Sequence, residues 1–171
     1  YEDPEFARFK RAIDERNVPL ATVKARDRFE IDGVGVEVLW PPGPRLVPVT
    51  SGNNDSVVLR LVYGQVAVLL TGDIEQAAEE ELVQSGVNLR ADVLKVPHHG
   101  SKTSSTEAFI DSVGAHSAVI SVGERSRFGH PHAIVVGRYL SHDVRLFQTG
   151  RDGTVTVETD GRTFEVKTFR R

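Results

Sequence analysis

Cysteine and methionine are both missing from this chain of 171 residues. The absence of cysteine excludes disulfide bonds, thiolate metal ligands and a cysteine nucleophile. Any metal site must therefore use histidine and oxygen ligands. No apolar run approaches the roughly 18 residues that a membrane-spanning helix needs, and no signal-peptide pattern opens the sequence. The missing methionine, together with the start at Tyr1, predicts a segment of a longer protein.

An excess of basic residues is also lacking. The chain has 21 Lys and Arg residues against 24 Asp and Glu residues, which gives a formal net charge of −3. This balance excludes a global electrostatic footprint for nucleic acid, so a polyanion would need a local basic patch. Length and composition are those of one globular domain over residues 1–171.

The hydrophobic pattern predicts an α/β fold. A helix is predicted over residues 4–16, and two hairpins follow around Asp32-Gly33 and Gly64-Gln65. Asp152-Gly153 and Asp160-Gly161 predict turns in a closing antiparallel meander. Between the hairpins and this tail, strands alternate with helices. The helices are predicted over 74–85, 104–113 and 131–140, and the strands over 93–96, 118–122 and 144–147.

Three strand-like runs each end in a potential metal ligand. Asp73 follows the first run, the pair His98 and His99 follows the second, and the loop after the third reaches His130. If the strands are parallel, these loops emerge at one edge of the sheet, where ligands bind in α/β folds. With Gln76 three residues on, Asp73 also fits the N-cap of a helix, and one carboxylate can serve both roles.

The paired histidines leave one question open. Adjacent side chains point in different directions, so we expect one of His98 and His99 to face the site, with His98 favoured. His130 precedes Pro131, which is predicted to open a helix, and a helix N-terminus favours the neutral imidazole that binds metals. His132 is expected to support the site from within that helix. Imidazole and carboxylate ligands favour zinc or manganese, which would activate water and polarise a phosphoryl or acyl oxygen.

An anion could bind beside these loops. No Gly-x-Ser-x-Gly elbow makes Ser101 a nucleophile, so we expect it to donate hydrogen bonds to a phosphate instead. Lys102 and Arg127, with Lys95 and Arg125, predict a local positive rim. The same residues are equally consistent with scattered, solvated charges.

Four segments of the chain carry a family resemblance: residues 53–59, 69–73, 92–105 and 129–132. Taken in series, they resemble the metallo-β-lactamase-like domain of the ComEC DNA-uptake channel family. The resemblance runs from about Asn53 to Thr156. It implies an αββα sandwich, of which this chain would be the larger C-terminal portion. The superfamily's principal metal motif, His-x-His-x-Asp-His or its aspartate variant, does not occur here and is expected upstream of Tyr1.

The same resemblance implies roles for individual residues. Asp73 matches the bridging carboxylate, His130 the late histidine ligand, and His98 with His99 a paired histidine that acts as ligand or proton donor. Asn54 lies where other superfamily members place a further histidine, and we count it among the phosphate-binding candidates. One or two divalent ions, zinc or manganese, are expected, with an incomplete ligand set in this segment.

By this resemblance, the function is that of a metal-dependent nuclease or phosphodiesterase. It would process single-stranded DNA as an extracytoplasmic soluble domain of a membrane-embedded competence channel. Two alternatives stay open: a DNA-binding or structural domain of that channel without hydrolysis, and a stand-alone metallo-hydrolase of small phosphodiesters. The segment alone is expected to bind metal weakly and to be inactive.

Overall fold

A computed structural model describes residues 4–43 and 52–170. The strands of this part of the chain form a seven-stranded sheet and a separate two-stranded sheet. The strands are β1 (Arg28–Ile31), β2 (Val34–Trp40), β3 (Val58–Tyr63), β4 (Val66–Leu70), β5 (Val93–Lys95), β6 (Ser117–Ile120), β7 (Arg145–Gln148), β8 (Thr154–Thr159) and β9 (Phe164–Phe169). The helices are α1 (Pro4–Glu15), α2 (Gln76–Gln84), α3 (Glu107–Val113), α4 (Ala133–Ser141) and α5 (Thr149–Asp152).

The large sheet runs in chain order from β1 to β7 and changes polarity at β4. Strands β1 to β4 pair antiparallel through two tight hairpins. At the first hairpin Asp32 has φ 49° and Gly33 has φ 82°, the positive values that a two-residue turn matched to the strand twist requires. The Asp-Gly prediction of this turn is therefore confirmed.

Strands β4 to β7 run parallel to one another. Val68 is in register with Val93, Lys95 with Val119, and Val119 with Phe147. This confirms the parallel arrangement on which the prediction of a common site depended. The carboxyl ends of β4, β5 and β6 consequently open at the same edge of the sheet.

One face of the sheet packs on helices α2, α3 and α4 to form the main core. The strands contribute Leu69, Leu94 and Ile120, and the helices contribute Phe109 and Tyr139, all at most 1% exposed. Burying a side chain of this size stabilises the fold by roughly 1.5–3 kcal/mol. This core fixes the strand ends from which the candidate site is built.

Two predicted helix starts are wrong. The N-cap of α2 is Glu75, which makes no side-chain cap, and not Asp73, whose carboxylate turns toward Lys95. The N-cap of α3 is Thr106, whose hydroxyl accepts a hydrogen bond from Phe109 N. Ser104 cannot take that role, because its hydroxyl donates to the carbonyl groups of the preceding loop.

The start of α4 and the chain ends also differ from the sequence predictions. Helix α4 begins at Ala133, so Pro131 lies before it, after a cis peptide bond from His130. At the carboxyl end, β8 and β9 pair only with each other, and α5 replaces the predicted turn at Asp152. In the part of the chain that the structure describes, no helix is both long and apolar enough to cross a membrane.

Candidate active site

The loop after β4 is shaped by a close backbone contact. Gly72 has φ +56°, and a Cβ atom added there would lie 2.6 Å from Cβ of Ser56. The Ser56 hydroxyl accepts a hydrogen bond from the backbone N–H of Asp73 at 3.1 Å. The Thr71 hydroxyl donates to the carbonyl oxygen of Lys95 at 2.8 Å and ties this loop to β5. Asp73 is thereby held at the strand end with a partly exposed carboxylate.

Asn54 also stabilises the loop after β4. It is 2% exposed, its side-chain oxygen accepts a hydrogen bond from Glu75 N at 2.9 Å, and its backbone oxygen accepts one from the Trp40 indole at 2.6 Å. The side-chain oxygen is therefore committed to the backbone of the loop. Phosphate binding by Asn54 stays a prediction.

The two consecutive histidines both adopt left-handed backbone conformations. His98 has φ 44° and ψ 44°, and His99 has φ 54° and ψ 22°. Each such residue costs about 1–3 kcal/mol, and strained residues of this kind concentrate at functional sites. Gly100 continues the turn at φ +78°, where a Cβ atom would lie 2.8 Å from Cβ of Pro131. The histidine loop and the segment around Pro131 are therefore in direct contact.

His99 is the histidine that meets Asp73. Its Nδ1 donates a hydrogen bond to the carbonyl oxygen of Ser121 at 2.5 Å, which leaves the lone pair on Nε2. This Nε2 lies 3.6 Å from Oδ1 of Asp73. Two electron-pair donors thus face each other, an arrangement that a cation between them would stabilise.

His98 turns to a different carboxylate. Its Nδ1 lies 3.2 Å from Oε1 of Glu75, although the contact lacks the geometry of a hydrogen bond and Nδ1 is buried without a hydrogen-bond partner in the described chain. The same Oε1 accepts a hydrogen bond from the Thr103 hydroxyl at 2.9 Å. Whereas the sequence favoured His98 as the direct participant, the structure brings His99 to Asp73 and His98 to Glu75.

His130 lies on the third loop, close to the other imidazoles. Its ring centroid is 5.7 Å from that of His98 and 5.4 Å from that of His132, and its backbone N–H donates to the Ser126 hydroxyl. Burial, followed by repulsion from His98, His132 and His99, lowers the pKa of His130. The imidazole is therefore biased toward the neutral form that was predicted. The predicted cause does not hold, because α4 begins three residues later.

Lys95 brings a positive charge to Asp73. Its ammonium donates to the carbonyl oxygen of Gly72 at 2.6 Å and to Oδ1 of Asp73 at 3.4 Å. Burial lowers the pKa of Lys95, and the neighbouring Asp73 opposes that effect. The side chain is 22% exposed, so this residue belongs to the site itself and not to an outer rim.

The other predicted anion-binding residues differ in exposure. Ser101 is 6% exposed, and its hydroxyl lies 2.9 Å from that of Thr103, so it supports the loop from within. Lys102, Arg125 and Arg127 are exposed. These three side chains are accessible to a polyanion, and their role, like that of Ser101, stays a prediction.

A buried carboxylate holds the segment that follows the histidine loop. Glu79 in α2 is fully buried and accepts hydrogen bonds from the backbone N–H groups of Ser105 at 2.6 Å and Thr106 at 2.8 Å. Arg138 in α4 donates to the carbonyl oxygens of Ser104 and Ser105. Burial raises the pKa of Glu79, against the effect of these hydrogen bonds and of Arg138. Helices α2 and α4 thus fix the segment that leaves the site.

The donor set fits part of a metal site. Two ligands on a tetrahedral ion with bonds of about 2.1 Å lie about 3.4 Å apart, close to the 3.6 Å between Asp73 Oδ1 and His99 Nε2. Within residues 4–43 and 52–170, no three His, Asp or Glu side chains form a group that could hold a metal ion. Asp73 and His99 can therefore supply two ligands of a divalent ion, and a complete coordination shell needs more.

These features define the class of protein. The family model for the metallo-beta-lactamase superfamily matches residues 1–124, and the chain belongs to this superfamily. The membership confirms the predicted fold class. Metal-dependent hydrolysis is the general activity of the superfamily.

Among curated proteins, the chain is similar to segments of several much longer proteins. It is 36% identical over 166 residues to ComE operon protein 3 of Bacillus subtilis, which covers 96% of the chain and 21% of that protein. It is 38% identical over 132 residues to competence protein ComA of Neisseria gonorrhoeae, covering 77% of the chain and 19% of ComA. Recombination protein 2 of Haemophilus influenzae is 35% identical over 114 residues, covering 67% of the chain and 14% of that protein. These similarities confirm the resemblance to the competence family, and the chain spans about a fifth or less of each relative.

A solved structure from Thermotoga maritima, assigned to the metallo-beta-lactamase superfamily, is also similar. It shares 18% sequence identity and gives a TM-score of 0.35, with 57% of this chain and 46% of that chain covered.

Sequence reasoning missed two parts of the site. Glu75, which contacts His98, follows Asp73 by two residues, and nothing in the local pattern separates it from the acidic residues of α2 that come after it. Ser121 acts through its backbone carbonyl oxygen, which leaves no side-chain signal. Lys95 was predicted for a positive rim, and its contact with Asp73 follows only from the pairing of β4 with β5.

Proposed function

We propose that this chain is the major part of a metal-dependent phosphodiesterase domain that cleaves DNA. The observation that carries the proposal is the approach of His99 Nε2 to Asp73 Oδ1 at 3.6 Å, with the opposite imidazole nitrogen fixed on Ser121. Fixing the second nitrogen in this way is how proteins orient histidine ligands. Superfamily membership supports hydrolysis as the type of reaction.

A divalent ion bound by Asp73 and His99 would lower the pKa of a water molecule and polarise a phosphoryl oxygen. The residues of this chain then have separate tasks. Ser121 keeps the proton of His99 on Nδ1, so that Nε2 stays available. Glu75 places its carboxylate oxygen Oε1 3.2 Å from Nδ1 of His98. Lys95 contributes a fixed positive charge beside the position where a phosphate would react.

The names of the relatives support DNA as the substrate of this chain. Two of them are named as competence proteins or operon products and one as a recombination protein. Lys102, Arg125 and Arg127 are exposed on the loops around the site and supply positive charge to an otherwise acidic chain. We therefore propose that the substrate is single-stranded DNA, processed on the extracytoplasmic side by a domain of a membrane-embedded uptake protein.

A second function is supported by one observation. The described residues contain no group of three metal-binding side chains. A domain of this kind could hold DNA within an uptake machine without cleaving it. The two functions differ in whether residues ahead of Tyr1 supply further metal ligands.

A nuclease assay distinguishes the proposed nuclease from a DNA-binding module. The 171-residue chain and a version extended to include upstream sequence are incubated with circular single-stranded DNA and Mn²⁺, Zn²⁺ or chelator. We expect the extended protein to cleave in the presence of metal and the shorter chain not to. DNA binding without cleavage under every metal condition would favour the binding module. Turnover of a small phosphodiester, without DNA binding, would favour a stand-alone hydrolase.

A further inference from the structure

Lys95 is an ionisable residue in the interior of a sheet. Strand β5 lies between β4 and β6, and Lys95 is its last residue. The backbone of Lys95 is fixed by its pairing with Val119 of β6 and by the hydrogen bond that its carbonyl oxygen accepts from the Thr71 hydroxyl. Its side chain reaches the loop after β4, where the ammonium contacts the carbonyl oxygen of Gly72 at 2.6 Å and Oδ1 of Asp73 at 3.4 Å. The position of this charge is therefore set by the sheet and not by a flexible loop.

The ammonium contacts the same carboxylate oxygen as His99. Oδ1 of Asp73 has Nζ of Lys95 at 3.4 Å and Nε2 of His99 at 3.6 Å. A divalent ion between Asp73 and His99 would thus share this oxygen with an ammonium a few ångströms away. Like charges at that spacing repel, so the presence of Lys95 opposes the accumulation of further cations at Asp73.

One N–H group of the Lys95 ammonium is not used by the two contacts described above. An ammonium has three N–H groups, and in the described part of the chain two of them meet Gly72 O and Asp73 Oδ1. The Lys95 side chain is 22% exposed, so solvent and ligands reach it. Its free N–H can therefore be donated to an anionic oxygen that enters the site.

We propose that the Lys95 ammonium opposes the binding of a divalent cation at Asp73 and contacts a phosphate oxygen of the substrate. The phosphate contact rests on the proposed function, whereas the effect on metal binding does not. The proposal assigns Lys95 two effects of opposite sign: it weakens the binding of a divalent cation and strengthens the binding of a phosphate.

The test measures both effects on the whole 171-residue chain. Mn²⁺ binding is followed by calorimetry, and binding of a single-stranded oligonucleotide is followed by fluorescence anisotropy in chelator at constant salt. The variants are Lys95→Gln, which removes the charge, and Lys95→Arg, which keeps it. Lys102→Gln removes the charge of an exposed lysine on the neighbouring loop and serves as the matched control.

We expect Lys95→Gln to bind Mn²⁺ about tenfold more tightly, as removal of a unit charge about 5 Å from a divalent ion predicts even at the dielectric constant of water. The same variant should bind the oligonucleotide more weakly. Lys95→Arg should match the unsubstituted chain in Mn²⁺ affinity. Lys102→Gln should leave Mn²⁺ affinity unchanged and lower only oligonucleotide affinity.

Several results would overturn the proposal. Unchanged or weaker Mn²⁺ binding by Lys95→Gln contradicts it, and so does unchanged or tighter binding of the oligonucleotide by the same variant. If Lys95→Gln does not fold, tighter Mn²⁺ binding by Lys95→Arg would contradict it independently. Because no readout depends on cleavage, the two proposals fail separately. An extended protein that cleaves no DNA under any metal condition would refute the nuclease function, and the expected Mn²⁺ shift in the Lys95 variants would still leave the metal-binding role of Lys95 in place.

Discussion

The Nε2 atom of His99 lies 3.6 Å from Oδ1 of Asp73, although the two residues come from loops after different strands. Parallel pairing of β4 and β5 brings those loops to one edge of the sheet. Left-handed backbone conformations at His98 and His99 then turn the second imidazole, and not the first, toward the carboxylate. The pair is therefore a product of both sheet topology and local strain.

Asp73→Asn should weaken Mn²⁺ binding by at least about tenfold, because even residues that only support a metal ligand change affinity by 10- to 100-fold when mutated. Asn keeps the shape of the side chain and removes its charge. Asp111→Asn, on the exposed side of α3, is the control and should have no effect. Calorimetry checks the affinities, and equal Mn²⁺ binding by the two variants would exclude Asp73 as a ligand.

Glu79→Ala should lower the free energy of unfolding by about 3 kcal/mol, because the buried N–H groups of Ser105 and Thr106 lose their acceptor. Glu80→Ala, at the next and exposed position of α2, should change it by less than about 0.5 kcal/mol. Urea denaturation provides the measurement. Equal effects at the two positions would mean that Glu79 does not hold this segment.

Gly100→Ala should destabilise the chain by more than about 1 kcal/mol. The residue has φ +78°, which L side chains rarely adopt, and its new Cβ would lie 2.8 Å from Cβ of Pro131. Gly137→Ala is the opposite case, because that glycine lies inside α4 with nothing within 4 Å of an added Cβ. It should stabilise the chain by about 1 kcal/mol, as replacing glycine in a helix does. Thermal unfolding of both variants tests this difference in sign.

The contribution of His142 to stability should depend on pH. Its Nδ1 donates to the carbonyl oxygen of Arg138, and its Nε2 lies 3.2 Å from Glu107 and 3.1 Å from Asp111. The hydrogen bond to Arg138, followed by the two carboxylates, raises the pKa of His142. The folded chain therefore holds the proton more tightly than the unfolded chain. Its stabilising effect is complete below the unfolded pKa of about 6.5 and disappears as pH rises through the higher folded pKa.

The measurement compares the unfolding free energy of the chain and of His142→Gln across pH. The deficit of the variant should be larger at about pH 5.5 than at about pH 8.5. His116→Gln, at an exposed histidine whose side chain is 76% accessible, is the control. A deficit that grows with rising pH would contradict the predicted sign.

The sequence predicted the parts of the molecule that depend on local patterns. Turn chemistry predicted the Asp32-Gly33 turn, and the alternation of strands with helices predicted the strands that precede Asp73 and His98. The sequence did not establish that these strands run parallel, which the structure shows. The direction of each histidine side chain was not predicted correctly. The rule that adjacent side chains alternate assumes an extended backbone, and His98 and His99 both have left-handed backbone conformations.

The predictions of two helix starts were wrong because the side chains concerned have other partners. Asp73 and Ser104 have the chemistry of N-caps, but other partners engage both side chains. Lys95, on the neighbouring strand, contacts Asp73, and local sequence cannot reveal a partner so far along the chain. The carbonyl oxygens of Pro97 and Ser101 accept from Ser104, and the path of the loop between them brings them within reach.

The most direct test of the account locates the metal. Crystals of the protein soaked in Mn²⁺ would be measured by anomalous scattering, with Asp73→Asn crystals as the control. We expect an anomalous peak bonded to Oδ1 of Asp73 and Nε2 of His99, and no peak there in the variant. A peak bonded elsewhere, or a peak at this position that survives the Asp73→Asn substitution, would contradict it.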